Sequence, residues 1–193
     1  MELILIRHLP TPWNTKGILQ GRRDIPIQDL SESDKEDILR NKKQLKERET
    51  FSHVLVSSLK RTHQTAEAYG YTNFKVEPLL DELDFGDFEG KAKRELIETY
   101  KKEWFHTPSK VVLGEKLTDL ENRMLAFINK YKNVDSVLAF GHGSWMRTCL
   151  SYERYGTIDR MNDIDIRNNQ LLIIDVTQFS FGEEEYNFGR HHL

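Results

Sequence analysis

Side chains able to do chemistry occur at four separate places in the chain. Arg7-His8 follows the apolar run Leu3-Ile4-Leu5-Ile6, and Ser57-Ser58-Leu59-Lys60-Arg61 follows Val54-Leu55-Val56. Asp81-Glu82 comes shortly after Val76, and Gly141-His142-Gly143 ends an apolar run that starts at Ser136. Two arginines, two histidines and a carboxylate suit an anionic guest. Arg7 and Arg61 are permanent cations whose planar forks match phosphate oxygens bidentately. The same two cations oppose a metal held by His8 and His142. No HExxH pattern or clustered aspartate pair offers another metal site. A neutral imidazole beside a bound phosphate is a competent nucleophile at phosphorus. Phosphoryl transfer is mostly positioning and charge stabilisation, so a cationic cage is most of the catalyst. Glu82 is then the candidate acid that protonates the departing oxygen.

Taken singly, each feature has a plainer reading: a structural Arg-His pair, a turn around a hydrogen-bonded imidazole, a surface glutamate. Their positions relative to the expected elements give them weight together. Strands are expected at residues 2–6, 54–56, 136–140 and 170–176, with a short one at 74–76. Between them lie helical patterns. One opens on a Ser33/Glu36 capping box and runs towards Glu49; others cover 60–69 and 91–104, and a last one follows a Thr118/Glu121 box. Leu96, Tyr100 and Trp104 form an apolar stripe at four-residue spacing, read as packing. Alternating strands and helices predict a three-layer α/β/α sandwich with a mostly parallel central sheet, one domain over residues 1–193. In such sheets ligands bind beyond the carboxyl ends of the strands, where all four groups fall. Helices starting near Ser58 and Ser144 are expected to turn their first N–H groups towards the same anion.

Composition excludes several classes. The chain has 193 residues, 38% hydrophobic and 31% charged, with a net charge of -3. Its pI is about 6.2 and its mean hydropathy -0.63. No global basic field would hold a nucleic acid, and no apolar run is long enough to cross a bilayer. The N-terminus lacks the pattern of a signal peptide, which predicts a cytoplasmic protein. Cys149 is the single cysteine, so no internal disulfide forms, and its apolar context suits a small buried hydrophobe.

Five stretches, in order, resemble the motifs of the histidine phosphatase superfamily, the phosphoglycerate mutase-like enzymes. Residues 5–14, LIRHLPTPWN, are similar to its opening LxRHGxTxxN motif, and residues 18–27, ILQGRRDIPI, to the QGxxDxPL stretch. Residues 57–66, SSLKRTHQTA, resemble the second-arginine motif; residues 80–90, LDELDFGDFEG, resemble the segment of the acidic catalyst; residues 140–143, FGHG, resemble the second-histidine motif. The resemblance reaches from about residue 3 to about residue 150. It departs at Leu9-Pro10, where the family usually has Gly-Glu, and at residues 28–32, where an LTxxG is usual.

The resemblance implies that His8 becomes phosphorylated. Arg7, Arg61 and His142 would hold the phosphoryl oxygens, His142 supplying a hydrogen bond and positive charge. Glu82 would protonate the leaving group and then take a proton from the attacking water. Asn14 would also touch the phosphate, and Gln20 and Gly21 would contact substrate. No metal or cofactor is implied. The expected activity is metal-independent phosphomonoester hydrolysis of a small phosphorylated metabolite, with no nucleic acid or membrane partner and either a monomer or a homodimer. Two rivals stand beside it: a phosphoglycerate mutase, although such enzymes are generally longer, and a non-catalytic phosphate-binding module, for which Leu9-Pro10 is the support.

Plainer readings cover the remaining candidates. His53 and His63 are expected to be structural or exposed, with a smaller role for His63 in shaping the pocket. His106 reads as a loop residue. His191-His192 needs no function. Trp13 and Glu89 pack or hydrogen-bond locally, and Arg22 and Arg23 either solvate a loop or meet an acidic substrate. The segment 104–117 is a candidate cover for the site.

Overall fold

The structure, a computed structural model, describes residues 1–48 and 50–179. Strands β1 (Glu2–Arg7), β2 (His53–Val56), β3 (Lys75–Val76), β4 (Ser136–Gly141) and β5 (Leu171–Asp175) form one sheet in the order β3-β2-β4-β1-β5. β1 and β2 both pair in parallel with β4, and β3 pairs in parallel with β2. Only β5 is antiparallel, lying along β1. The expected strands are all present, each within a few residues of its predicted limits.

The apolar runs are covered on both sides because successive side chains of a strand face opposite ways. Leu3, Leu5, Leu55, Val137 and Ala139 enter one core, whereas Ile4, Ile6, Val56, Leu138 and Phe140 enter the other. Helices α4 (Lys93–His106), α5 (Leu117–Tyr131) and α6 (Gly143–Tyr155) bury Leu96, Trp104, Met124, Phe127, Trp145 and Cys149 on the first face. Helices α2 (Glu32–Lys46) and α3 (Lys60–Ala68) bury Ile38, Leu45 and Ala66 on the second. The result is the predicted three-layer sandwich. The short helix α1 (Pro12–Thr15) sits in the connection after β1. Cys149 is a core residue, and burial pushes its thiol pKa up.

Two predicted caps are corrected. α2 starts before Ser33: Ser31 caps it, its hydroxyl accepting from Asp34 N at 3.2 Å while the Asp34 carboxylate accepts from Ser31 N at 2.9 Å. The Ser31/Asp34 spacing repeats the same reciprocal geometry two residues earlier. α5 has Lys116 at its N-cap without a side-chain cap, so Thr118 lies inside the first turn. Glu121 accepts instead from Ile158 N at 2.7 Å and ties α5 to the turn at Ile158–Asp163. His106 is the last residue of α4 and not a loop residue. Glu49, the expected far end of α2, and His191-His192 lie outside the described residues.

The approach to β5 braces the end of β1. Asn169 adopts φ +61°, and its N–H donates to Arg7 O at 3.0 Å. Its side-chain oxygen accepts from Tyr69 OH at 2.6 Å, and its carbonyl accepts from Asn41 Nδ2 at 2.8 Å. Asn169→Ala should destabilise the fold by about 2–4 kcal/mol, combining a buried hydroxyl left without its acceptor and the loss of asparagine's tolerance of a left-handed backbone. Asn169→Gly keeps the backbone and should cost less. Urea midpoints at unchanged slope check this; equal losses for the two variants would show that the backbone contributes nothing.

Candidate active site

The parallel pairing of β1, β2 and β4 places their carboxyl ends side by side. A cavity of about 270 Å³ opens there. Seven of the eight residues singled out from sequence line it: Arg7, His8, Asn14, Gln20, Gly21, Arg61 and Glu82. His142 does not. It is fully buried behind the wall, its ring centroid 5.3 Å from that of His8.

His8 extends the ladder one residue beyond β1, its N–H donating to Gly141 O at 2.9 Å. Its Nδ1 lies 2.7 Å from Leu9 O. A carbonyl oxygen can only accept, so Nδ1 carries the proton and Nε2 keeps its lone pair. Burial, then the charges of Arg61 and Arg7, hold the His8 pKa well below 6.5. The ring is therefore a neutral imidazole with one nitrogen free. The Leu9-Pro10 departure does not disturb this geometry. Leu9 is buried, has no positive φ, and gives its N–H to Thr65 Oγ1 at 2.9 Å. The acceptor that orients His8 is a backbone carbonyl, which any residue supplies.

The two arginines are fixed from behind by carbonyls. Arg7 Nη1 donates to Ile166 O at 2.5 Å. Its guanidinium lies against Gly143, where an added Cβ would stand 3.2 Å from Arg7 Cζ. Arg61 donates from Nη1 to Arg23 O and from Nη2 to Gly21 O, both at 2.8 Å. Gly21 itself has φ +53°, and a Cβ there would collide with Glu89 Oε1 at 1.9 Å. Burial lowers the Arg61 pKa to about 10, which leaves it charged at neutral pH. Asn14 Oδ1 accepts from Thr11 N and Thr11 Oγ1 at 3.0 and 3.1 Å, so its Nδ2 is the end available to a ligand.

Among the described residues, buried side-chain atoms without a hydrogen-bond partner include Arg7 Nε, Arg61 Nε, Gln20 Oε1 and His142 Nδ1. Each such atom costs about 1–3 kcal/mol if it stays unpaired. The two guanidinium N–H groups left in this way beside His8 describe a site shaped for an anion. Among the described residues no group of three or more His, Cys, Asp or Glu side chains is placed to hold a metal ion, and no helix is long and apolar enough to cross a membrane.

Glu82 departs from a simple picture of helix ends facing the guest. Its Oε1 accepts from Leu83 N at 2.9 Å, Ser144 N at 3.1 Å and Trp145 N at 3.3 Å. The N–H groups of Ser144 and Trp145, the second and third residues of α6, are thus spent on the protein's own carboxylate, whereas Gly143 lines the cavity. At α3 the same occurs: Ser58 N donates to Asp81 Oδ1 and Lys60 N to Asp24 Oδ1, both at 2.7 Å. Carboxylates from neighbouring loops thus take up two amides at the start of each helix. Arg123 of α5 fixes the Glu82 loop, its Nη1 donating to Leu79 O and Asp81 O at 3.0 Å.

Several lining residues escaped the sequence reading. Lys93 and Arg147 add cations, Asp165 a carboxylate and Asn168 an amide. Asn168 Nδ2 donates to His8 O at 2.9 Å. Arg147 stands four residues after Gly143, one turn into α6, which is the one sequence signal by which it could have been found. The segment 104–117 contributes no lining residue; Trp104 is buried in the core instead. Arg22 pairs with Asp81 at 3.0 Å and so ties its loop to the one carrying Glu82, and Arg23 stands over Trp13 at 5.7 Å. His63 reaches the site only indirectly, its Nε2 lying 2.7 Å from Ser57 O.

Burial, then Arg61, His8 and Arg7, also hold the His142 pKa well below 6.5. Below pH 6.5 both histidines gain protons in the unfolded chain but not in the empty folded one. Stability should therefore fall with decreasing pH, starting near 6.5 and continuing down to the depressed folded-state values. Each histidine contributes up to about 1.4 kcal/mol per pH unit in that window. Denaturant unfolding of His8→Gln beside the wild type from pH 7 to 5 checks this; identical slopes would contradict it.

The histidine phosphatase superfamily (branch 1) model matches residues 3–188. The chain is 34% identical over 146 residues to phosphoserine phosphatase 1 of Hydrogenobacter thermophilus, covering 68% of this chain and 64% of that protein. It is 27% identical to the uncharacterized phosphatase PhoE of Bacillus subtilis, covering 97% of this chain and 94% of the other. The matched region thus spans just under two thirds of the first relative and nearly all of the second. The fold is similar to the crystal structure of the alpha-ribazole phosphatase from Shigella flexneri, with a TM-score of 0.72 at 24% identity over 93% of each chain.

Proposed function

Because this chain belongs to the histidine phosphatase superfamily, we propose that it is a metal-independent phosphomonoesterase acting on a small phosphorylated metabolite through a phosphohistidine at His8. The observation that carries the reading is the hydrogen bond from His8 Nδ1 to Leu9 O, which leaves Nε2 unprotonated at the cavity. Arg7 and Arg61 draw the phosphoryl group against Nε2 and neutralise its charge. Nε2 attacks phosphorus, the bond to the ester oxygen breaks, and Glu82 gives that oxygen its proton. Glu82 then takes a proton from water as the water attacks phosphohistidine, releasing phosphate and restoring the imidazole. Asn14 Nδ2 and Gln20, which also line the cavity, contact the bound group.

The cavity of about 270 Å³ favours a compact ester. Lys93 and Arg147 at its wall face Asp165, so an ester with a carboxylate near its phosphate finds a cationic partner. The test is hydrolysis of p-nitrophenyl phosphate in excess EDTA, followed by a panel that includes phosphoserine and both phosphoglycerates. Release of inorganic phosphate unaffected by the chelator is expected. Interconversion of phosphoglycerates that outpaces phosphate release would make the protein a mutase, and tight phosphate binding with no turnover of any ester would make it a binding module.

A further inference from the structure

His142 is buried behind the cavity wall, its ring centroid 5.3 Å from that of His8; its Nδ1 has no hydrogen-bond partner, and its other nitrogen is held by a set of hydroxyl and amide contacts. His142 Nε2 is 2.7 Å from Ser57 Oγ. Ser57 Oγ also accepts from Leu59 N at 3.1 Å and lies 3.0 Å from Thr62 Oγ1. Thr62 Oγ1 is 2.8 Å from Leu59 O, and a carbonyl only accepts, so the single threonine proton goes there. The contact between the two hydroxyls must then use the single serine proton. No proton remains on Ser57 for His142, and the imidazole must be the donor. His142 carries its hydrogen on Nε2, and Nδ1, buried and without a partner, is an acceptor.

That assignment conflicts with an anion. An unprotonated Nδ1 leaves a lone pair on a ring whose centroid is 5.3 Å from that of His8 and whose charged neighbours are Arg61 and Arg7, whereas an anion drawn to those groups calls for a donor. We propose that Ser57 is a positioning residue that fixes this tautomer of His142, and that each anion entering the cavity is accompanied by one solvent proton taken up at His142 Nδ1. The proton is returned to solvent when the anion leaves, so charge and atoms balance over the cycle.

The surroundings make the coupling one of charge as well as hydrogen bonding. Facing His142 are Arg61 from α3, His8 and Arg7 from the end of β1, and Arg22 from the loop after α1. Glu82 is bonded to Ser144 N, two residues along the chain. With the cavity empty, the cations keep the buried ring neutral. A bound dianion offsets them and reverses the preference. The empty site thus avoids an additional buried charge, and the filled site gains a charged donor at the moment it is useful.

The inference rests on the reading of the cavity as a phosphate site, and sulfate separates the two. Sulfate is a dianion of similar shape that takes up no proton of its own near neutrality. Calorimetric titration of the wild type with sodium sulfate at pH 7.5, in buffers of different ionisation enthalpy, should show close to one proton absorbed per sulfate. Sulfate affinity should fall about tenfold per pH unit on the alkaline side. Glu82→Gln should retain the uptake, because the proton goes to His142. Ser57→Ala removes the acceptor of Nε2–H, allows Nδ1–H without uptake, and should bring the pH dependence close to zero. Nitrogen-15 spectra of labelled wild type should show the Nε2–H tautomer when empty and both nitrogens protonated with sulfate. Binding without uptake, uptake lost in Glu82→Gln, an Nδ1–H tautomer in the empty protein, or an unchanged pH dependence in Ser57→Ala would each overturn the coupling while leaving the anion site intact. No binding of sulfate or phosphate would overturn both.

Discussion

His8→Ala should lower turnover of p-nitrophenyl phosphate by a factor on the order of 10⁴ or more, the size of loss seen when an enzyme's nucleophile is removed. The cage is built independently of the imidazole. Arg7 is held by Ile166 O, and Arg61 by Gly21 O and Arg23 O. The variant should therefore still bind inorganic phosphate as a competitive inhibitor within about tenfold of the wild type. A kcat collapse with nearly retained phosphate affinity is the expected pair of results. The wild type, quenched during turnover of labelled ester, should yield a phosphoprotein labile to acid and stable to alkali; His8→Ala should yield none. A thermal melt of the variant guards against simple unfolding, since the replaced side chain is buried. Near wild-type kcat in a folded His8→Ala protein would end the phosphohistidine reading.

The central part of this site was legible because strand ends are legible. Leu3 to Ile6 and Val137 to Phe140 are nearly continuous apolar runs, and a run of that kind in an α/β pattern means a buried parallel strand. Whatever follows such a run comes out at the same sheet edge, so Arg7-His8, Ser57 to Arg61 and Gly141-His142 could be brought together without any knowledge of side-chain positions. Distances and donors were not legible. Nothing in the pattern around Ser57 shows that its hydroxyl is committed to Thr62 and His142. Ser33 and Glu36 have the spacing of a cap, yet the helix is capped two residues earlier by Ser31 with Asp34, and local sequence does not rank the two. Asp165 and Asn168 lie in an irregular stretch between a 3₁₀ turn and β5, where no periodicity exists to read. They reach the cavity because Asn169 turns through a left-handed conformation and lays its segment against the end of β1. The expectation that the first amides of α3 and α6 face the guest is not met at Ser58, Lys60, Ser144 and Trp145, for a related reason. Charge complementarity at a helix end is as well met by a carboxylate of the same chain as by a ligand, and Asp24, Asp81 and Glu82 arrive from loops whose paths are not written in local sequence.

Glu82→Gln divides the reaction into its two halves. The glutamine is nearly the same shape and keeps an oxygen to accept from Ser144 N and Trp145 N, so the loop held by Arg123 should stay in place. It cannot donate a proton to a leaving oxygen at the cost a carboxylic acid does, nor take one from water. An alkyl phosphate needs the acid, because an alkoxide is a poor leaving group, and its hydrolysis should fall by about 10²–10⁴. A nitrophenolate leaves without help, so transfer of the phosphoryl group from p-nitrophenyl phosphate to His8 Nε2 should be slowed little. Removal of the phosphoryl group by water uses Glu82 as base and should be slowed as strongly as in the alkyl case. The aryl ester should therefore give a rapid burst of about one nitrophenolate per active site followed by a slow steady rate. The alkyl ester should show no burst, since its first step is also impaired. At enzyme concentrations comparable to substrate, stopped-flow absorbance reads the aryl ester, and rapid chemical quench with assay of the released alcohol reads the alkyl ester. If the two esters slow equally and the aryl ester shows no burst, Glu82 acts on neither proton. Its hydrogen bonds to the start of α6 would then be its whole contribution.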